Sequence, residues 1–303
     1  MSAETQRRAL LTGGSGFIGA ALTRRLLAEG WQVHLVLRSS SSADSLPEAA
    51  PRLQLHRHDG STQQLAQIVR AAAPDVVFHL ASLFLAEHKL EDVERLIHAN
   101  LLFSTQLVEA MAACDVQRLV NTGTSWEHYQ DQDYNPVCLY AATKQAFSAI
   151  LRFYSEARGL RVVTLKLFDT YGAGDRRPKV LNLLKRLANE GIALDMSPGE
   201  QLVDLVYIDD VLDAFLLAAR QLDTQASPME EYGVSSGRPL ALREIAALYA
   251  QVSGKPLNIA WGGRPYRGRE VMVPWQSYRP LPGWQPKVSL AQGLALFHFD
   301  GAA

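Results

Sequence analysis

Cysteine is almost absent from this chain: Cys114 and Cys138 are the two among 303 residues. Their spacing matches no metal-ligand pattern, so reduced thiols are the expectation, with neither a disulfide framework nor a metal site. An excess of charge of one sign is missing too. Lys and Arg number 30 against 31 Asp and Glu, for a formal net charge of −1. No basic field is present to attract nucleic acid or an anionic membrane surface. Long apolar runs are also lacking. Ala214 to Ala219 falls far short of the about 20 residues needed to cross a bilayer. Ala9-Leu10-Leu11 runs straight into glycines instead of forming a secretory core. The expectation is a soluble, cytoplasmic protein of one large domain or two intimate ones.

What the chain does have is strand-like segments alternating with helix-like ones. Ala9 to Thr12 reads as a strand, Phe17 to Glu29 as a helix stopped by Gly30, and Gln32 to Leu37 as a second strand. Between the first two lies Gly13-Gly14-Ser15-Gly16-Phe17-Ile18-Gly19. In that setting glycines let backbone approach a pyrophosphate, and the helix start supplies free N–H groups. A dinucleotide contact is therefore expected at Gly13, Ser15, Gly16, Phe17, Ile18 and Gly19. The end of the second strand should select the cofactor, an acid for the NAD ribose or an arginine for a 2′-phosphate. It reads Leu37-Arg38-Ser39-Ser40, with no acid before Asp44. Arg38 and Ser39 thus favour NADP(H), and NAD(H) stays open.

Residues 39–51 read as a surface connection. Alternation then resumes in Leu53 to His58, followed by Asp59-Gly60, a helix from Thr62 to Ala73 and a strand from Val76 to Leu80. Strands alternating with helices give a parallel sheet that binds ligands at the strands' carboxyl ends. Asp59, Gly60, Leu80, Ala81 and Ser82 then share a rim with the glycine turn. His79 reads as a hydrogen-bonded core residue. Leu90 to Ala113 reads as one long helix whose face is interrupted by Asn100, and a buried Asn needs partners or a ligand.

Tyr140 and Lys144 fall four apart in a run, Ala141 to Arg158, that reads as a helix. Positions i and i+4 share one helical face. A free phenol has a pKa of about 10, and a nearby ammonium favours the phenolate. Such a pair can pass a proton to or from a carbinol oxygen. Tyr and Lys at this spacing also occur by chance on many helices, so the pair needs a hydride carrier and a second donor beside it. Thr124, just past a strand from Arg118 to Val120 and 16 residues before Tyr140, is the expected donor. Ser125 is the rival hydroxyl.

Together these stretches resemble the extended short-chain dehydrogenase/reductase superfamily, in the branch that acts on nucleotide-diphosphate sugars. The resemblance rests on Gly13/Gly16/Gly19, Asp59, His79-Leu80-Ala81-Ser82, Asn100, Thr124 and Tyr140/Lys144. It extends to Leu167-Phe168-Asp169-Thr170-Tyr171-Gly172 and Val206-Tyr207-Ile208-Asp209-Asp210-Val211. The likeness implies that Tyr140 is the acid/base, Lys144 also holds the nicotinamide ribose, and Asp59 meets the adenine. It places Asn100 and Phe168 in the cofactor site and Asp169 toward the sugar, although relatives usually carry Asn there. Sugar 4,6-dehydratases follow the Thr with an Asp-Glu pair. Here Ser125-Trp126 stand instead, with Glu127 one place late and its side chain expected to point elsewhere. The string from Asn121 to Trp126, with Tyr140 to Lys144 and Asp175-Arg176-Arg177-Pro178-Lys179, is most similar to CDP-4-keto-6-deoxyhexose reductases of the paratose and abequose synthase type.

On the substrate side, Arg161 to Phe168 reads as a strand and Phe168 to Gly172 as its exit loop. Lys179, Arg176 and Arg177 precede a helix from Val180 to Asn189, where cations oppose the helix dipole unless an anion lies between. Val203 to Ile208 reads as a strand returning to the sheet, and Asp209-Asp210 as structural N-cap acids of a helix to Arg220. By likeness to relatives, Arg267 and Arg269 are candidates for a diphosphate, with Ser125 and Trp126 near the sugar. The expected fold is an α/β Rossmann-type doubly wound parallel sheet with a smaller, discontinuous C-terminal lobe. Residues 1–171 and 203–222 are assigned to the cofactor domain, and 172–202 and 223–303 to the lobe. The expected function is NAD(P)H-dependent reduction of a 4-keto(-6-deoxy)hexose on a nucleotide diphosphate, in a homodimer. Alternatives are a 4-epimerase with bound NAD and a catalytically silent NADPH sensor.

Overall fold

The computed structural model describes residues 6–41, 46 and 50–300. Most of the 39–51 connection therefore lies outside the described residues. In chain order the first elements are β1 (Arg8–Thr12), α1 (Phe17–Ala28), β2 (Gln32–Arg38), β3 (Leu53–His58), α2 (Thr62–Ala72) and β4 (Val76–His79). There follow α3 (Val93–Ile97), α4 (Phe103–Ala112), β5 (Arg118–Thr124), α5 (Leu139–Arg158), β6 (Arg161–Leu167) and β7 (Asp169–Tyr171). The remainder is α6 (Val180–Glu190), β8 (Leu194–Met196), β9 (Leu202–Val203), β10 (Leu205–Tyr207), α7 (Ile208–Gln221), β11 (Met229–Val234), β12 (Leu240–Ala241), α8 (Leu242–Ser253), β13 (Ile259–Trp261) and α9 (Leu290–His298).

Seven strands form one parallel sheet in the order β11-β6-β5-β4-β1-β2-β3. The order reverses between β1 and β4, where Thr12 lies beside His79, and ligands bind outside such a switch point. The period-2 pattern of each strand feeds two apolar layers. Ala9, Leu11, Val33 and Leu35 face one cluster with Leu22 and Leu26 of α1 and Phe215 of α7. Leu10, Val36, Leu119 and Val162 face another with Leu65 of α2, Met111 of α4 and Phe147 of α5. The first cluster continues into α6, α8 and α9 through Leu184, Tyr249 and Phe297. Among the described residues, no helix is long and apolar enough to cross a membrane.

Several sequence expectations are corrected. The helix read from Leu90 to Ala113 runs through without a break but contains a π-turn, His98–Leu102, centred on Asn100. The strand read from 118 to 120 runs on to Thr124, paired residue by residue with β6. Residues 205–207 do not rejoin the large sheet. They pair only with β7, which occupies part of the expected 168–172 loop. Met229–Val234, assigned to the C-terminal lobe, is instead the outer strand of the large sheet. Its two acids, Glu230 and Glu231, mask its alternation because an edge strand tolerates charge. The aspartates of α7 are not caps either. Tyr207 is the N-cap, and Asp210 in the first turn accepts the amides of Lys287 and Val288 at 3.0 and 3.1 Å.

Candidate active site

The glycine turn is packed on one side and open on the other. A Cβ on Gly13, whose φ is +74°, would lie 2.6 Å from the Ala81 amide. One on Gly19 would lie 2.1 Å from the Gly13 carbonyl. At Gly16 that same carbonyl, at 3.3 Å, is the one neighbour a Cβ would meet. Gly16 is exposed and caps α1 without a side-chain hydrogen bond, and the first turn holds no acid. The uncapped amides and positive dipole suit an anion, so these residues fit a dinucleotide's pyrophosphate. Ser15, Phe17 and Ile18 are half-buried on the same turn.

At the end of β2, Arg38 and Ser39 are exposed. A second guanidinium joins them. Arg57 Nη1 donates to the carbonyls of Arg38, Ser39 and Ser41 at 3.1, 3.2 and 2.6 Å. Sequence reading missed Arg57, although the β2–β3 register that sets Leu37 beside Arg57 follows from parallel pairing. Asp59 is exposed past β3, its carboxylate accepting the Ser61 amide at 2.8 Å, and Gly60 follows with φ +100°. Leu80 and Ala81 are tied to β1 through the Thr12 carbonyl and hydroxyl. His79 is fully buried between Thr12 Oγ1 at 2.7 Å and Ser104 Oγ at 2.8 Å, as a core histidine should be.

Asn100 is consumed by protein rather than left for a ligand. Its Oδ1 accepts from Ser82 Oγ and the Leu83 amide, and its Nδ2 donates to the Leu83 carbonyl and Thr143 Oγ1. All four hydrogen-bonding positions of that amide are filled. The cofactor contact expected of Asn100 becomes a brace between the Ser82 loop and α5.

Tyr140 is buried among the residues that follow β4 and β5, Leu83, Leu85 and Trp126. Burial pushes the phenol above its ordinary range, and the charges of Glu127 and Cys138 push the same way. The hydroxyls of Ser82 and Thr124 oppose the shift. Lys144, also buried, donates from Nζ to the Thr122 carbonyl at 3.0 Å. Burial lowers it to about 8, and Glu127 resists that fall. The expected lowering of Tyr140 by Lys144 is not what this geometry shows. Burial of the phenol outweighs any lowering by Lys144, whose ammonium donates to backbone.

The cleft next to this pair has a volume of about 750 Å³. Ser125, Trp126, Phe168, Asp169, Lys179 and Arg267 all line it, as do Arg176, Arg186 and Arg264. Phe84 stands edge-on to Tyr140 at 5.0 Å and near Trp126 at 5.5 Å, giving the reactive end an apolar flank. Phe168 and His128 stack on Trp275. Trp275 and Phe84 carry no signal in the sequence, since each becomes a wall only through long-range packing. Lys179 pairs with Asp169 at 2.7 Å, Arg267 with Glu270 at 3.0 Å, and Arg177 with Asp175 at 2.7 Å. Arg269 is corrected. It does not line the cleft, and its guanidinium donates to Asn135 Oδ1 and the Pro136 carbonyl while covering Tyr129.

Comparison with known proteins agrees with this geometry. The profile of the NAD dependent epimerase/dehydratase family matches residues 9–232. A CDP-abequose synthase of Yersinia pseudotuberculosis is 28% identical over 90% of this chain and 94% of its own length. A UDP-glucose 4-epimerase of Mycolicibacterium smegmatis is 28% identical over 95% of this chain and 96% of its own. The structure of the Thermus thermophilus UDP-glucose 4-epimerase in complex with NAD superposes with a TM-score of 0.80 at 26% identity. The match covers 98% of this chain and 100% of the other. The chain thus belongs to the NAD dependent epimerase/dehydratase family, the extended short-chain dehydrogenase/reductases, among its nucleotide-sugar-modifying enzymes.

Proposed function

We propose that this enzyme reduces the 4-keto group of a nucleotide-diphosphate hexose, a 4-keto-6-deoxyhexose being favoured, at the expense of NADPH. The observation that carries the reading is the buried Tyr140, on one helix with a buried Lys144 that donates to the Thr122 carbonyl, standing against Phe84 and so beside the lined cleft. A bound nicotinamide supplies the hydride. Thr124 polarises the carbonyl, Tyr140 gives its proton to the oxygen as charge develops there, and solvent later restores it. Lys144 holds the ribose and keeps positive charge near the phenolate that results. Donors fixed in place before the reaction are where such a site gains most of its rate.

Support for a keto-deoxy sugar comes from the Phe84–Trp126 flank, which offers no acid and base for eliminating water, and from the relative named CDP-abequose synthase. Arg38 and Arg57 support NADP(H) through two guanidiniums at one strand end. Arg267, Lys179 and Arg176 are assigned to the diphosphate. Leu90, Val93, Ile97, Leu102 and Phe153 are exposed apolar residues on the 90–112 and 139–158 helices, and we assign them to a homodimer interface. The second reading is a 4-epimerase with retained NAD, favoured by the M. smegmatis relative. Purified protein is offered NADPH and a CDP-4-keto-6-deoxyhexose. Stoichiometric NADPH oxidation is expected. Retained NAD, with turnover that needs no added nicotinamide, would select the epimerase.

A further inference from the structure

Residues 125–138 join β5 to α5, and residues 264–278 follow β13. These two segments hold three of the five non-glycine residues with positive φ among the described residues: Gln130 at +55°, Asp131 at +60° and Arg269 at +58°. Left-handed backbone is unfavourable for such residues, and it persists where surrounding contacts over-determine it. Here the contacts run from one segment to the other. Asp131 Oδ1 accepts the amides of Gln276 and Ser277 at 2.7 and 2.9 Å, and its Oδ2 accepts the Ser277 hydroxyl. In the opposite direction Arg269 reaches Asn135 Oδ1 and the Pro136 carbonyl. Between these ties the His128 ring stacks on Trp275 at 3.9 Å. His128 is pinned from behind. Its Nδ1 donates to the Gln132 carbonyl at 3.1 Å, so its Nε2 accepts from Lys166 Nζ at 2.8 Å. Lys166 also lies 3.2 Å from both Glu127 Oε2 and Glu231 Oε2.

Both segments line the cleft, through Trp126, His128 and Val137 on one and Arg264, Arg267 and Trp275 on the other. Asp131 and Arg269 do not line it. We propose that these two are positioning residues for substrate binding: they tie the 264–278 segment to the loop that leads into Tyr140, which fixes Arg267 and Trp275 relative to the reacting end. The inference rests on the reading of the cleft as a nucleotide-diphosphate sugar site. Its physical basis is preorganisation. A segment already held in its bound place costs a ligand less ordering than a loose one. Arg267 shows the arrangement. It stands over Trp126 at 5.6 Å, and two residues on, Arg269 anchors the same stretch to Asn135. The ties are solvent-exposed, so their effect is expected on the local order of this segment rather than on global unfolding.

The test compares the whole chain as wild type, Asp131→Ala and Asp131→Asn. Asparagine keeps an oxygen for the two amides and can donate to the Ser277 hydroxyl, whereas alanine keeps neither contact. Two readouts need no turnover: hydrogen exchange across 264–278 in the free protein, and calorimetric affinity for CDP, UDP and NADPH. In Asp131→Ala the segment is expected to exchange faster, and the nucleoside diphosphate that wild type binds should weaken roughly tenfold. NADPH affinity should stay within about twofold, and Asp131→Asn should restore most of the lost nucleotide affinity. Faster exchange with unchanged nucleoside diphosphate affinity overturns the proposal, because the ties would then be structural alone. Unchanged exchange in folded Asp131→Ala overturns it as well. If that variant does not fold, Arg269→Met severs the other tie, and the same two readouts decide. Wild type that binds neither CDP nor UDP would overturn the reading of the cleft and this proposal with it. Binding by wild type with no loss in the variant overturns the proposal alone.

Discussion

The wall that carries Thr124, Tyr140 and Lys144 grows from strand and helix, and its anchors are a backbone carbonyl and a buried carboxylate. The wall that carries Lys179 and Arg267 grows from loops and a helix start, and these two cations are paired with partly exposed or nearby carboxylates, Asp169 and Glu270. In the first wall Lys144 is bonded to a carbonyl of β5, and Thr124 is held through its amide by a buried side chain. In the second, Arg267 and Lys179 are partly exposed, and an anionic ligand must compete with Glu270 and Asp169 for them. Geometry is thus tighter in the first wall than in the second. If the proposed roles hold, changes in the two walls should separate into turnover and affinity.

Removing the proposed acid should give the largest separation. Tyr140→Phe is expected to lower kcat by roughly 10²- to 10⁴-fold with cofactor affinity retained, measured by steady-state kinetics alongside NADPH fluorescence titration. Next comes the charge behind the first wall. Lys166→Met leaves Glu127 buried without its cation, and a loss of about 3–5 kcal/mol is expected in urea unfolding. Loss of less than about 1 kcal/mol would show that Glu127 takes up a proton instead.

Lys144 should invert the usual relation of activity to stability. Its ammonium is destabilised in the fold, from 10.5 to about 8. Below pH 8 both folded and unfolded states are protonated and the whole penalty, about 3 kcal/mol, is felt. Between 8 and 10.5 the unfolded chain binds more protons, so stability from this group rises with pH. Lys144→Met is therefore expected to be inactive yet more stable than wild type at about pH 7, with the advantage shrinking toward about pH 10. Denaturant midpoints at both pH values check this, and a variant less stable at neutral pH would contradict it. The smallest effect belongs to the second wall. Arg267→Ala should raise KM for the sugar nucleotide about tenfold and leave kcat within about twofold.

The same contrast explains what can be read in advance. The glycine turn, β1 to β4 and the Tyr140–Lys144 helix rest on local periodicity and short-range capping, so residues a few positions apart announce them. Thr124 is legible as a strand-end residue from its position past an apolar run. Met229–Val234 is not legible, because two glutamates sit in six residues and only its pairing with β6 makes it a strand. Arg267 and Arg269 look alike in sequence, two apart. The backbone at Arg269 has a φ of +58° and sends its side chain to Asn135 instead. The relation of Tyr140 to Lys144 escapes the sequence for a similar reason. Spacing fixes which face two side chains share, whereas burial decides which charges survive there.

The π-turn at His98–Leu102 has a consequence for how this segment tolerates change. A π-turn accommodates one residue more than a regular helix would hold over the same rise. Deleting one neighbour of Asn100 between 98 and 102 would let the helix run straight and swing that residue by about a quarter of a turn. Ser82, Leu83 and Thr143 would then lose their common tether. Such a shortened chain would gain helical regularity and lose the loop beneath its own cofactor groove, so the irregularity here is a length requirement written into the helix.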